Sequence, residues 1–178
     1  MSLNADLREF VELLNSRGVE YVIVGAHSLA FHGRPRYTGD LDLLVRPSRE
    51  NAAKLASLLH DFGFEKGDFA EADFTVPEQM IQLGRAPNRI DLLTSISGVL
   101  IEDAFRTKIF TEMEGLPVFI LNKELLIQNK RAVGHPQDVA DFFEGLEEKT
   151  PVSAGETPAI TTQIRQISEW QAALTINY

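Results

Sequence analysis

The stretch Thr38-Gly39-Asp40-Leu41-Asp42-Leu43, preceded by the turn Gly25-Ala26-His27-Ser28, decides the predicted fold. Asp40 and Asp42 alternate with two leucines, and alternate side chains of a β-strand point to the same face. We therefore expect both carboxylates on one face of a strand and both leucines in the core. Two carboxylates on one strand repel each other unless a cation lies between them. The pattern favours Mg²⁺, which typically binds one or two carboxylates together with substrate phosphates.

The composition of the chain restricts the classes of function that fit it. The 178 residues suit one domain with an appendage, and 44% hydrophobic residues suffice for a core. The chain has no cysteine, which excludes disulfides and thiolate zinc sites. A net charge of −9 disfavours non-specific binding to nucleic acid, although a small phosphorylated ligand can still be held by a local basic cluster.

Several common sequence signals are missing. The chain has neither the Gly-x-Gly-x-x-Gly pattern of dinucleotide-binding folds nor a P-loop, and it has no serine nucleophile elbow. No apolar run is long enough to span a bilayer, and residues 1–6 do not resemble a signal peptide. We therefore expect a cytoplasmic protein without a membrane partner.

Apolar spacing predicts a chain in which helices and strands alternate. Helices are expected over 3–17, 26–31, 48–62, 99–105, 123–133 and 138–146. The continuous apolar run Tyr21-Val22-Ile23-Val24 predicts a central buried strand, and a second strand is expected over 41–45. Short strands are expected within 72–94, among them 80–83 and 89–93, and Glu114-Gly115 predicts a hairpin between 108–113 and 117–121.

The end of the chain reads differently from the rest. We expect a main domain over 1–148, a linker over 149–159 that contains proline, glycine and serine, and an amphipathic helix over 160–178. The apolar stripe of that helix consists of Ile160, Ile164, Ile167, Trp170 and Leu174.

Gly25-Ala26, followed after thirteen residues by Asp40-Leu41-Asp42-Leu43, resembles the minimal nucleotidyltransferase signature of the DNA polymerase β superfamily. Residues 31–42 are especially similar to small prokaryotic nucleotidyltransferase-like proteins, some of which are grouped with toxin–antitoxin modules. Residues 129–131 and 137–141 resemble the C-terminal helices of that group. The resemblance covers about 5–147 and does not include the tail.

The resemblance implies an α/β (α+β) fold with a mixed β-sheet flanked by helices, and further helices at the C-terminus. It implies transfer of a nucleoside monophosphate from an NTP to an acceptor, with release of pyrophosphate. In that family pattern, two strand carboxylates and a third on a neighbouring strand bind two Mg²⁺ ions. The matching positions are Asp40, Asp42 and Asp91, and Asp91 could also take a proton from the acceptor.

The expected nucleotide-binding residues are Gly25, Ala26, Ser28, Arg36 and Lys130. A glycine turn lets the backbone approach a triphosphate, a helix N-terminus favours anions, and arginine can clamp phosphate oxygens. The family often has Gly-Gly or Gly-Ser at the turn, whereas here Ala26 follows Gly25 and the hydroxyl comes at Ser28.

Each candidate residue also has a plainer interpretation. Asp91 could be an exposed strand residue paired with Arg89, and Ser28 could simply begin a helix. Arg36 and Lys130 could be solvated charges. His27 and His32 are interpreted as structural residues.

Two classes of function remain open at this point. The first is a Mg²⁺-dependent nucleotidyltransferase with an NTP and an unidentified acceptor, a protein or a small molecule, as partners. The alternative is an antitoxin-like interaction module that binds a partner toxin with little or no catalysis. Modification of a cationic drug fits the acidic surface, whereas a nucleic acid polymerase would need a basic channel.

Overall fold

The computed structural model describes residues 5–33, 38–85 and 88–134, which all lie within the first of two compact units, Met1–Pro136. The second unit is Gln137–Tyr178. In chain order the described elements are α1 (Ala5–Ser16), β1 (Tyr21–Ile23), α2 (Gly25–Phe31), β2 (Asp40–Val45), α3 (Arg49–Asp61), a 3-10 helix (Glu71–Phe74), β3 (Met80–Arg85), β4 (Asn88–Leu93), α4 (Ile101–Arg106), β5 (Ile109–Met113), β6 (Leu116–Ile120) and α5 (Lys123–Val133).

The strands form one mixed sheet in the order β3-β4-β2-β1-β6-β5. β2 is parallel to β4 and β1 is parallel to β6, whereas β1–β2, β3–β4 and β5–β6 are antiparallel. The predicted mixed sheet flanked by helices is confirmed. The prediction of a central, buried β1 is also confirmed, because β1 lies between β2 and β6 and all three of its residues are buried.

The main core lies on the face of the sheet that carries the two leucines of β2. Leu41 and Leu43 are fully buried and pack in one cluster with apolar residues of α1 and α3. Val22 and Leu44, which point to the opposite face, are fully buried as well. The middle of the sheet is therefore covered on both faces, and β2 can present its two carboxylates only near the end where the strand begins.

Local signals account for most element boundaries. Ser48 accepts a hydrogen bond from the Asn51 N–H at 3.2 Å and caps α3, and Asn122 accepts one from the Leu125 N–H at 2.8 Å and caps α5. Gly134, with φ of +73°, ends α5 in the left-handed conformation. Glu114 and Gly115 both have positive φ, as a tight hairpin between β5 and β6 requires.

One segment differs from the expectation. Strands were expected within 72–94, but Glu71–Phe74 form a 3-10 helix. The Asp73 carboxylate accepts a hydrogen bond from the Ala70 N–H at 2.8 Å, and Phe74 is fully buried in the core. An aspartate that binds nearby backbone favours a turn over a strand, and the apolar spacing does not reveal this.

Other expectations concern parts of the chain outside the described residues. They are the helix over 138–146, the domain boundary at 148, the linker over 149–159 and the amphipathic helix over 160–178, all of which stay predictions. None of the helices in the described ranges is long and apolar enough to cross a membrane.

Candidate active site

The structure places all three predicted carboxylates on one face of the sheet. In the parallel pairing of β2 with β4, Asp42 lies opposite Asp91 and Asp40 lies opposite Arg89. Because residues opposite each other in a ladder share a face, and residues two apart on a strand do so too, these four charged side chains form one cluster. We call Asp40, Asp42 and Asp91 the carboxylate cluster.

Arg89 connects two members of the carboxylate cluster. Its Nη2 donates a hydrogen bond to Asp40 Oδ2 at 2.8 Å, and its Nε donates one to Asp91 Oδ2 at 3.2 Å. The pairing of Asp91 with Arg89 was the plainer interpretation of the sequence, and the structure contains that pair. Asp91 is nevertheless only 2% exposed, so it is not the exposed strand residue which that interpretation assumed.

Asp91 has one oxygen whose hydrogen bonding is incomplete. Oδ1 lies 3.0 Å from Arg89 Nε, within ion-pair distance, but the geometry does not satisfy a hydrogen bond and the atom is buried. A single N–H cannot point well at both oxygens of one carboxylate, which reconciles the short distance with the missing bond. Asp91 therefore keeps an acceptor oxygen available for a cation or a donor.

The surroundings of Asp42 change the pKa of its carboxyl group. Burial, and then the negative charges of Asp91 and Asp40, raise the pKa of Asp42 to about 6. A hydrogen bond from the Ala26 N–H and the positive charge of Arg89 act in the opposite direction. The ionised form of Asp42 is thus disfavoured here, and a further cation beside it would stabilise that form.

Two features favour glycine at position 25, namely its backbone conformation and the close approach of the Asp42 side chain. Its φ is +59°, and a Cβ added at Gly25 would lie only 2.7 Å from Asp42 Cγ. The missing side chain lets the carboxylate rest against the turn, where it can accept the Ala26 N–H. The sequence predicted that Gly25 and Ala26 contact phosphate. In the structure, these two residues contact the carboxylate of Asp42.

The polar residues of α2, His27 and Ser28, are buried, and the partly buried His32 follows directly after the helix. Ser28 is fully buried, and its hydroxyl donates to the Leu121 carbonyl at 3.3 Å. His32 Nε2 lies 2.8 Å from the same carbonyl. His27 is 2% exposed; burial lowers its pKa, while a hydrogen bond to the backbone of Asp40 opposes that effect. Its Nδ1 has no partner. These contacts match the structural interpretation of both histidines.

The two predicted phosphate-binding cations are not joined to this cluster by any described contact. Arg36 lies in 34–37, outside the described residues. Lys130 is half-buried on α5. Its neighbours Gln128 and Asn129 donate to the carbonyls of Gly98 and Ser97, in the loop after β4. Both residues remain predicted nucleotide ligands.

The chemistry of the carboxylate cluster fits a hard divalent cation, because all its donors are carboxylate oxygens and one of them is buried without a hydrogen bond. In the present arrangement, however, no set of three or more acidic, histidine or cysteine side chains within 5–33, 38–85 and 88–134 is positioned to hold a metal ion. In this arrangement Arg89 donates hydrogen bonds to both Asp40 and Asp91.

The sequence analysis considered Arg89 only as a partner of Asp91, and it gave Gln82 no role. Gln82 lies opposite Asp91 on β3 and shares its face. The spacing of Arg89 and Asp91, two residues apart on one strand, was a usable signal for a shared face. The contact of Arg89 with Asp40 depends on the pairing of β2 with β4 and leaves no local trace in the sequence.

No known family model matches the chain, and no curated protein matches it. Its fold is similar to the crystal structure of a protein from Thermotoga maritima described as a "putative nucleotidyltransferase", with a TM-score of 0.53 and 21% sequence identity. The similarity covers 80% of this chain and 91% of that one. The chain therefore has a nucleotidyltransferase-like fold, and at this identity the likeness extends to the fold alone.

Proposed function

We propose that this protein is a Mg²⁺-dependent nucleotidyltransferase that transfers a nucleoside monophosphate from an NTP to an acceptor and releases pyrophosphate. The observation that supports it is the carboxylate cluster, with three aspartates from two adjacent parallel strands on one face of the sheet. The nucleotidyltransferase-like fold supports it at a coarser level. The ordinary alternative, a set of solvated strand residues, does not fit an Asp91 that is 2% exposed.

In this proposal the three aspartates have different roles. Asp40 and Asp42 would hold the metal, and Asp91 would be the third metal ligand. Two bound Mg²⁺ ions would neutralise charge on the attacking and leaving oxygens of an in-line displacement. As the acceptor bonds to the α-phosphorus and the bond to pyrophosphate breaks, Asp91 accepts the proton of the acceptor.

The turn after β1 positions one of the proposed metal ligands. Gly25 and Ala26 hold the carboxylate of Asp42 through a close backbone approach and the Ala26 N–H. A preorganised carboxylate does not have to be ordered when the ion arrives. Arg36, Lys130 and Ser28 remain our proposed phosphate contacts. Of these, Ser28 is fully buried, and its hydroxyl donates a hydrogen bond to the Leu121 carbonyl.

The experiment is transfer of label from an α-³²P-labelled NTP, with Mg²⁺ and a cell lysate as the source of acceptor. We expect a labelled product with the wild-type chain, and loss of at least about a hundredfold in rate with Asp42→Asn, as for other groups that stabilise charge in a transition state. The matched control is Asp6→Asn, the same chemical change on an exposed residue of α1.

Two results would contradict the proposal. The first is label transfer by Asp42→Asn at the wild-type rate. The second is a loss with Asp6→Asn as large as that with Asp42→Asn, which would trace the loss to charge or folding in general. Circular dichroism of each variant shows whether the fold is intact.

An interaction module that resembles an antitoxin is the second candidate. It depends on the apolar stripe of residues 160–174, outside the described part of the chain, and on the resemblance to proteins grouped with toxin–antitoxin modules. The two functions are compatible, since a partner toxin can be the acceptor. A small protein encoded beside this one, retained by the full chain and released when residues 150–178 are deleted, would support the module.

A further inference from the structure

We propose that Arg89 is an internal counter-cation of the carboxylate cluster, whose pairing with Asp40 and Asp91 is mutually exclusive with binding of a divalent metal ion. This inference rests on the proposed function, because it concerns the same three aspartates. It assigns Arg89 a positioning role. Without metal, the guanidinium bonds to the carboxylates of Asp40 and Asp91 and keeps them ordered, and it leaves them when metal binds.

The first argument is the place that the guanidinium occupies. Arg89 contacts Asp40 Oδ2 at 2.8 Å and the two oxygens of Asp91 at 3.0 and 3.2 Å, so it bridges the two carboxylates. A Mg²⁺ ion shared by these carboxylates would need their oxygens at about 2.1 Å. The ion and the guanidinium would then compete for the same oxygens, and both are positively charged.

The second argument is the need for some cation in this place. The Asp91 side chain is 3% exposed and lies opposite Asp42, with Asp40 near both. Buried carboxylates without a positive partner are costly, and removal of one partner of a buried pair is strongly destabilising. Arg89 supplies one positive charge to three carboxylates, so it compensates them only in part. A divalent ion compensates them better.

The third argument is that Arg89 has space into which to move. Its side chain is 32% exposed, in contrast to that of Asp91. Its neighbour across the β3–β4 ladder is Gly84, which has no side chain and lies on an edge strand. A side chain that is one-third exposed is not enclosed by the core and can turn toward solvent, and the side chain of Asp40 is itself one-third exposed.

The test measures metal binding and does not depend on turnover. Isothermal titration of the full chain with Mn²⁺, a probe for Mg²⁺, is compared among wild type, Arg89→Gln, Arg89→Lys and Arg85→Gln. The Gln variant keeps polar donors and removes the charge. Arg85, exposed on β3 next to Gly84, offers the same change of net charge without a contact to the carboxylate cluster in the described structure.

We expect Arg89→Gln to bind Mn²⁺ more tightly by about tenfold or more, because the competing cation is gone. Arg89→Lys keeps the positive charge but loses the planar fork through which Arg89 contacts both carboxylates, so we expect an intermediate affinity. Arg85→Gln should bind like the wild type. In wild-type protein we also expect the Nε–H resonance of Arg89, identified by its absence in Arg89→Lys, to shift on titration with Mg²⁺.

An unchanged or weaker affinity in both Arg89 variants, or a resonance that Mg²⁺ does not move, would overturn the inference. If one of these results is found but label transfer still depends on Asp42, the proposed function stands and only the inference about Arg89 fails. If the Arg89 variants bind Mn²⁺ more tightly but no chain transfers label, the inference holds and the proposed function fails. Absence of metal binding in every chain would overturn both. If Arg89→Gln does not fold, Arg89→Lys carries the comparison.

Discussion

Substitution of Gly25 by alanine is the sharpest test of how the turn supports the carboxylate cluster. The Gly25 backbone has φ of +59°, which costs a residue with a Cβ about 1–2 kcal/mol. The new Cβ would also lie 2.7 Å from Asp42 Cγ and 3.0 Å from Asp42 Cβ. Asp42 must then turn away and lose the Ala26 N–H, and such overpacking costs about 1–3 kcal/mol. We expect a total loss of about 2–5 kcal/mol.

The chain offers a matched control for the backbone part of this loss. Gly18 has the same φ of +59° but no atom within 4 Å of an added Cβ. Gly18→Ala should therefore cost only about 1–2 kcal/mol. The assay is urea unfolding of both variants at pH 7 with EDTA, in which the midpoint shifts at a constant slope. Asp42→Ala adds a second comparison, because it removes the side-chain atoms that the new Cβ would meet most closely.

In the double-mutant cycle, Gly25→Ala and Asp42→Ala together should cost at least about 1 kcal/mol less than the sum of the single changes. Equal stabilities of Gly25→Ala and Gly18→Ala would refute the reasoning, as would a cycle without coupling. The close approach of Gly25 to Asp42 would then not affect the free energy of unfolding, and glycine would be needed at this position only for its positive φ.

Two further predictions concern stability. The pKa of Asp42 is raised in the fold to about 6. The stabilisation of the folded state that comes from protonated Asp42 is therefore fully present below the unfolded pKa near 3.8, and it is lost as the pH rises through about 6. Without metal, Asp42→Asn should therefore be more stable than wild type at pH 8, by on the order of 2 kcal/mol, and this gain should disappear near pH 4. An equal gain at both pH values would show that the raised pKa of Asp42 is not its cause. Asn51 is buried and bonds to the N–H and carbonyl of Glu20 at 2.7 and 2.9 Å and to the Arg46 carbonyl at 3.0 Å. Asn51→Ala should cost about 2–4 kcal/mol in urea unfolding, while Lys54→Ala, on the exposed side of α3, should cost under about 1 kcal/mol.

The predicted elements were most accurate where the signal is local. The expected helix over 123–133 matches α5, because Asn122 and Gly134 mark its two ends within a few residues of backbone. The hairpin between β5 and β6 follows from Glu114-Gly115, because the glycine readily supplies one of the two positive φ values of the turn. The 3-10 helix at Glu71–Phe74 was missed because an apolar pattern of four residues does not distinguish a turn from a strand.

The sequence alone determined which side chains share a strand face and therefore that Asp40 and Asp42 point away from Leu41 and Leu43, because that alternation follows from the geometry of one extended segment. It also determined the turn at Gly25. Only the tertiary structure decided that Asp91 lies opposite Asp42 and that Arg89 bridges Asp91 to Asp40. The contact of Arg89 with Asp40 joins residues 49 positions apart. The register of the two parallel strands that brings them together depends on the packing of the whole core, which no short stretch of sequence contains.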